Sequence, residues 1–260
     1  MGRLRQRELI GSVALALLFL AAWEWLPGLA GLPRFIVPPV SQVALEFLHM
    51  ADTESLPLHT GVTLMEVAAG FVLGSLLGMF VGYSLGLSPS AEFVLSPYIL
   101  ALQIAPKVAF APLFVMWFGY TVYPKILVAV LIVFFPVMIN VLGAVRNVDR
   151  DMINLARSFS ATRAQIFWKI EFPASMPALF SGLRIASTLA VIGVVVGEMV
   201  GADVGLGYLL VFGEGQANTA MVFVTIILLT IIGIIAYLAV VLAERRTLHY
   251  LPKREIGHVE

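Results

Sequence analysis

Six stretches of the chain stay apolar for about the 20 residues that a helix needs to cross a bilayer. They lie near 9–26, 60–86, 93–118, 123–145, 177–200 and 218–243. Polar positions gather between them. The pattern predicts an all-α polytopic membrane bundle of about six transmembrane helices, one transmembrane domain over residues 1–260. The overall balance agrees. The chain is 60% hydrophobic and 12% charged, with a mean hydropathy of +0.97. Soluble domains run at roughly 45–50% apolar and about 25% charged.

Arg3, Arg5 and Arg7 precede the first apolar run, Leu9–Ala22, as they would in a secretory signal. No small-x-small cleavage site follows. Trp23-Glu24-Trp25 follows instead and suits an interfacial aromatic belt, so the run reads as an uncleaved first helix. An even number of spans puts both ends on one side. That side carries Arg3, Arg5, Arg7, Arg146, Arg150, Arg157, Arg163, Lys169, Arg245, Arg246, Lys253 and Arg254, against Arg34 on the other. Basic loops stay in the cytoplasm, so both termini and the 146–176 loop are expected there. The extracytoplasmic 27–59 segment holds Pro33, Pro38 and Pro39 and then a short amphipathic helix over 41–48, with Ser41 as a candidate N-cap.

Charge and chemistry then narrow the classes. Zero net charge offers no attraction to nucleic acid. Without cysteine there is no disulfide, thiolate nucleophile or thiolate metal site. His49, His59, His249 and His258 are scattered outside the predicted spans, so neither a catalytic cluster nor a metal site is expected. No G-x-x-x-x-G-K-[ST] phosphate loop is present, so any ATP must be bound elsewhere.

Two features inside the spans stand out. Gly70, Gly74, Gly78, Gly82 and Gly86 recur every four residues along the second span, which keeps them on one face. Such a face serves close helix packing or a sliding surface. Gly193, Gly197, Gly201 and Gly205 have the same two readings. The third span is interrupted by Pro106 and Pro112, with Lys107 at its middle. Broken backbone in a membrane survives only under protein or beside water, and an intramembrane lysine is a functional hypothesis. Lys107 either snorkels or pairs with a carboxylate, or it faces a water-filled path. Lys125 has Glu66 and Glu198 as candidate partners, and Arg184 is expected to snorkel to the cytoplasmic surface.

The 146–176 loop is long, basic and patterned. Asp149 is a plausible N-cap for a short amphipathic helix bearing Met152, Leu155, Ala156 and Phe159. Thr162 and Gln165 have capping-box spacing and open a second short helix with Ile166, Phe167 and Ile170. Pro173 and Pro177 are expected to end it. Such a pair lies on lipid headgroups or enters a groove on a soluble partner.

The loop resembles the coupling loop of ABC-importer permeases. Their Glu-Ala-Ala, three residues, Gly, then Ile-x-Leu-Pro is matched here by Ala156, Ile170 and Pro173. Asn154, Leu155, Ser160 and Phe172 depart from it. Gly at the Ser160 position matters if the turn needs a positive φ. Val37-Pro38-Pro39-Val40-Ser41, Ile104-Ala105-Pro106, Pro112–Gly119, Phe135-Pro136, Gly182-Leu183-Arg184, Gly197–Ala202 and Gly205-Leu206-Gly207-Tyr208 resemble one subgroup. That subgroup is the nitrate/sulfonate/taurine-type permeases, which includes bicarbonate, thiamine-precursor pyrimidine and riboflavin importers.

The resemblance implies a bacterial-type inner-membrane subunit that works as a dimer, with a homodimer expected. Two ATPase subunits, which bind ATP and magnesium, and an extracytoplasmic solute-binding protein complete the assembly. The ATPase-coupling residues would be Met152, Ile153, Asn154, Leu155, Ala156, Phe159, Ser160, Ile170 and Pro173. The solute path would run at the dimer interface, with Lys107, Asn140, Thr188 and Glu198 as pore candidates. The solute would be a small anion, sulfonate-, nitrate- or bicarbonate-like, or a vitamin precursor. A secondary transporter or a channel not driven by ATP is the alternative. Such transporters commonly show inverted repeats and paired broken helices; the sequence offers one broken span and no repeat.

Overall fold

The computed structural model describes residues 2–249. Lys253, Arg254 and His258 lie outside the described residues. Those described are helical, with no strand among them. In chain order the helices are α1 (Gly2–Leu29), α2 (Val40–Thr53), α3 (Leu56–Gly86) and α4 (Pro89–Ile104). A 3-10 turn (Lys107–Phe110) leads to α5 (Ala111–Phe118) and α6 (Tyr123–Arg146). Then come α7 (Arg150–Ser158), α8 (Arg163–Ile166), a π turn (Phe167–Glu171) and α9 (Phe172–Gly201). The series closes with α10 (Leu206–Gly215) and α11 (Thr219–Thr247).

Five helices are long and apolar enough to cross a membrane: Ile10–Leu29, Leu56–Gly86, Tyr123–Arg146, Arg163–Gly201 and Thr219–Thr247. The expected third span is broken into Pro89–Ile104 and Lys107–Phe118, bent by 80°, and counts as a sixth if the pair is taken as one. Pro106 and Pro112 cause this, since neither can donate to the helix ladder.

Two local expectations are corrected. Pro173 and Pro177 do not end the helix after α8; the helix runs from Arg163 to Gly201, with both prolines inside it. Ser41 is not the cap of α2, whose N-cap is Pro39. Ser41 turns instead to Glu24 of α1, donating from its N–H at 2.9 Å and its hydroxyl at 2.7 Å.

The centre of the bundle is α6, held between α3 and α9. On the α3 side each glycine meets a residue of α6 spaced by the same four. A methyl added at Gly70 would lie 2.5 Å from Ala129 Cβ, at Gly74 2.8 Å from Val133, at Gly82 2.9 Å from Val141 and at Gly86 2.8 Å from Val145. At Gly78 it would strike the Phe134 carbonyl at 2.6 Å. On the α9 side, methyls at Gly193 and Gly197 would meet the α6 backbone at Ala129 Cα (2.6 Å) and Lys125 Cα (2.7 Å). Gly205 leaves this series: it lies beyond α9 at φ +129°, a conformation open to glycine.

In lipid, where apolar surface gains little by burial, this close approach is what holds helices together. Gly78→Ala is expected to destabilise the protein by about 1–3 kcal/mol, because the overlap is with backbone that cannot move aside. Gly61→Ala on the same helix, with nothing within 4 Å, should leave the melting temperature in detergent unchanged or slightly raised. Equal melting temperatures for the two variants would contradict this packing.

Candidate functional site

At the end of the bundle away from 146–176, a polar cluster is sealed in the interior. His59, Thr63 and Glu66 fall on one face of α3 and are buried. His59, expected outside the spans, is thus inside α3, with Nδ1 3.0 Å from the Gly205 N–H. Its ring stacks on Tyr208 at 5.9 Å. Thr63 accepts from the Leu206 N–H at 2.8 Å and donates to Glu198 at 2.6 Å. Glu198 also accepts from the Gly207 N–H at 2.6 Å. Lys125 pairs with Glu66 at 3.3 Å, not with Glu198. The cluster ties the first turn of α10 to α3 and α9, satisfying N–H groups that a helix start leaves open.

The four pore candidates occupy four separate places. Glu198 is 1% exposed, and its carboxylate oxygens accept from Thr63 and from the Gly207 N–H within the chain. Among the described residues Lys107 pairs with no carboxylate; it donates to the Gln103 carbonyl at 2.6 Å. This caps the broken end of α4, where cations suit the exposed carbonyls, and its ammonium stands 4.8 Å over the Phe135 ring. Asn140 lies in the wall of a cavity of about 480 Å³ between α6 and α9, where Asn140 and Asn147 stand among apolar residues such as Ala174 and Pro177. Its amide N–H₂ donates to the Pro136 carbonyl at 2.8 Å. Thr188 borders a separate, apolar groove of about 550 Å³ between α9 and α11. Arg184, expected to snorkel, pairs with Glu244 of α11 at 3.5 Å.

The 146–176 loop projects as two short helices with built-in ends. Asp149 accepts from the Asp151 N–H at 2.8 Å and caps α7. Thr162 and Gln165 form a complete capping box on α8, with the Thr162 N–H donating to Gln165 at 2.8 Å. Between them Ser160 adopts φ +58°. The Ser160 N–H reaches the Arg157 carbonyl and the Ala161 N–H reaches the Ala156 carbonyl, at 2.8 and 3.0 Å. This is the Schellman ending that favours glycine at the Ser160 position. A side chain there costs about 1–2 kcal/mol.

Met152, Leu155 and Phe159 are 54%, 61% and 79% exposed on α7. Ile153 and Ala156 are half-buried, and Asn154 faces out. Ile170 and Pro173 are half-buried where α8 runs into α9. Thus α7 presents an apolar face, with Arg150 and Arg157 beside it, on a helix of nine residues at the end of the bundle.

A bundle of this build is a multi-pass permease. The chain belongs to the family of binding-protein-dependent transport system inner membrane components, whose model matches residues 74–249. It is a permease subunit of an ABC importer in the inner membrane. It is similar to the riboflavin transport system permease protein RibX of Chloroflexus aurantiacus, 36% identical over 236 residues, covering 91% of this chain and 88% of RibX. It is also similar to the putative aliphatic sulfonates transport permease protein SsuC of Bacillus subtilis, 31% identical over 239 residues, 92% of this chain and 87% of SsuC. A solved chain of the MetNI methionine ABC transporter, in an inward-facing conformation, shares the fold with a TM-score of 0.64 at 20% identity, over 75% of this chain and 96% of that one.

The ion pair makes a direct prediction. Lys125→Met leaves the Glu66 carboxylate buried without its cation, which costs about 3–5 kcal/mol. Adding Glu66→Gln should recover most of that loss in melting temperature. Additive losses in the double variant would contradict the pairing.

Proposed function

We propose that the chain, as a single domain over 1–260, works as one of two identical permease subunits that enclose a solute path between them. In this reading both termini and the 146–176 loop are cytoplasmic, as the skew of lysine and arginine favours. Met152, Ile153, Asn154, Leu155, Ala156, Phe159, Ser160, Ile170 and Pro173 form the surface on which an ATPase subunit docks. Two such subunits hold ATP and magnesium and supply the energy. An extracytoplasmic binding protein delivers the solute.

The observation that carries this reading is the apolar tip of α7. Three large apolar side chains stand exposed on a helix too short to span a bilayer, capped at both ends and flanked by arginines. An amphipathic helix held out in this way fits a groove on a soluble partner. The path is the less defined part. Its support is the broken α4–α5 segment with Lys107 at the break, and the cavity into which Asn140 and Asn147 open. The α9–α11 groove that holds Thr188 lies elsewhere on the bundle. The solute is a small anion such as a sulfonate, or a vitamin-like heterocycle, the two kinds named for the relatives SsuC and RibX.

Affinity purification from native membranes in mild detergent tests the docking surface. Wild-type protein should carry a P-loop ATPase near equal stoichiometry. The double variant Leu155→Asp, Phe159→Asp changes only exposed positions, so it should stay in the membrane and retain less than a tenth of the ATPase. Undiminished ATPase in that preparation would contradict the assignment.

A further inference from the structure

The helical run Arg163–Gly201 is continuous but not uniform. At Phe167–Glu171 it widens into a π turn, closed by the Phe172 N–H bonding the Phe167 carbonyl five residues back. Just beyond, Pro173 and Pro177 lack the N–H groups that would bond the carbonyls of Lys169 and Pro173. The rod is therefore weakest over about one and a half wide turns, at the junction between the exposed loop and α9. Single π turns of this kind are frequent at functional sites.

One side chain from another helix grips this junction. The Tyr83 ring, on α3, meets Phe167 edge-on at 5.4 Å and Phe172 at 5.7 Å, so it touches the first residue of the wide turn and the residue just after it. Its hydroxyl lies 2.6 Å from Ser175 Oγ. Ser175 in turn donates to the Phe172 carbonyl at 2.8 Å. With the Ser175 hydrogen committed to that carbonyl, the Tyr83 hydroxyl is the donor to Ser175. Both side chains are buried. Tyr83 is anchored on α3 because Gly82 and Gly86 on either side of it are pressed against Met138, Val141 and Val145 of α6, while the approaches of α9 to α6 begin farther along, at Gly182, Gly193 and Gly197.

We propose that the π turn is the joint through which displacement of α7 and α8 reaches α9, and that Tyr83 is the positioning residue that makes the joint transmit. The inference rests on the docking reading above. A ladder that can pass between π and α spacing lets α8 advance relative to α9 by one residue, about 1.5 Å along the axis. Without a grip, such a joint absorbs a push on the loop as local slippage. With Tyr83 bonded to Ser175 and wedged against Phe167 and Phe172, slippage must break a buried hydrogen bond and part a ring cluster. The push then moves α9 as a body about a fixed point on α3.

The chain has no cysteine, so spin labels can be placed at will. Leu87→Cys with Ala164→Cys reports the loop against α3, and Leu87→Cys with Met199→Cys reports the far end of α9; all three positions are exposed. The permease–ATPase complex in lipid nanodiscs is measured by pulsed electron–electron resonance before and after ATP with vanadate. Both distances should shift in the otherwise unchanged protein. In Tyr83→Phe, and separately in Ser175→Ala, the 87–164 shift should persist while the 87–199 shift falls at least twofold. The two substitutions together should do no more than either alone. An 87–199 shift of full size in both variants, with 87–164 responding, overturns this inference and leaves the docking reading standing. No response of 87–164 in the unsubstituted protein overturns the docking reading and this inference with it.

Discussion

Helix α6 has no room for side chains on the faces that α3 and α9 present to it. Its Ala129, Val133, Val137, Val141 and Val145 stand where Gly70, Gly74, Gly78, Gly82 and Gly86 leave open backbone. A methyl at most of these glycines would overlap an atom of α6 that real structures do not let so near. Lipid offers apolar groups as good a home as the protein does, so the stability of a membrane bundle rests on close packing and on polar pairing rather than on hydrophobic burial. The glycine face supplies the first and the Glu66–Lys125 pair, at its end away from the 146–176 loop, supplies the second.

The working parts are placed by that core. With α3 and α6 locked, the start of α10 can be pinned by Thr63, Glu198 and His59, and the junction at the head of α9 can be gripped by Tyr83. The helices outside the core, α4 and α5, are bent at Pro106 and joined to it by fewer such approaches, among them Gly201 against Val115. The protein thus combines a rigid post with a broken, lipid- or partner-facing segment and an exposed loop. A transporter driven from one end needs such an unequal division, because displacement is transmitted by rigid elements and taken up at joints.

Much of this was legible in the residues. The four-residue glycine spacing, the prolines of the third span and the Asp149 and Thr162 caps are local rules, and local rules read well from sequence. His59 was misjudged, although its spacing of four to Thr63 and then three to Glu66 marks one helix face. The four pore candidates were chosen by residue type and depth alone. Type says nothing of which way a helix is turned, so Glu198 fell in the interior and Thr188 on a separate groove. Pro173 and Pro177 were read as terminators because the rule for proline concerns a missing donor; here the helix continues through both, just beyond the π turn. The contact of Tyr83 with Ser175 joins residues 92 apart in the chain and leaves no trace in any local pattern. Ser160 lies between these cases: the resemblance pointed to glycine, and the backbone does take the positive φ that glycine favours.

The central claim is that the tip of α7 meets a soluble ATPase. A photo-reactive benzoylphenylalanine placed at Phe159, irradiated in native membranes and followed by mass spectrometry of the adducts, tests it at a single side chain. The account predicts a cross-link to a P-loop ATPase, lost when the same probe stands at Phe35, exposed at the opposite end of the bundle beside the start of α11. Adducts at 159 with lipid alone would contradict it and make α7 a membrane-surface helix.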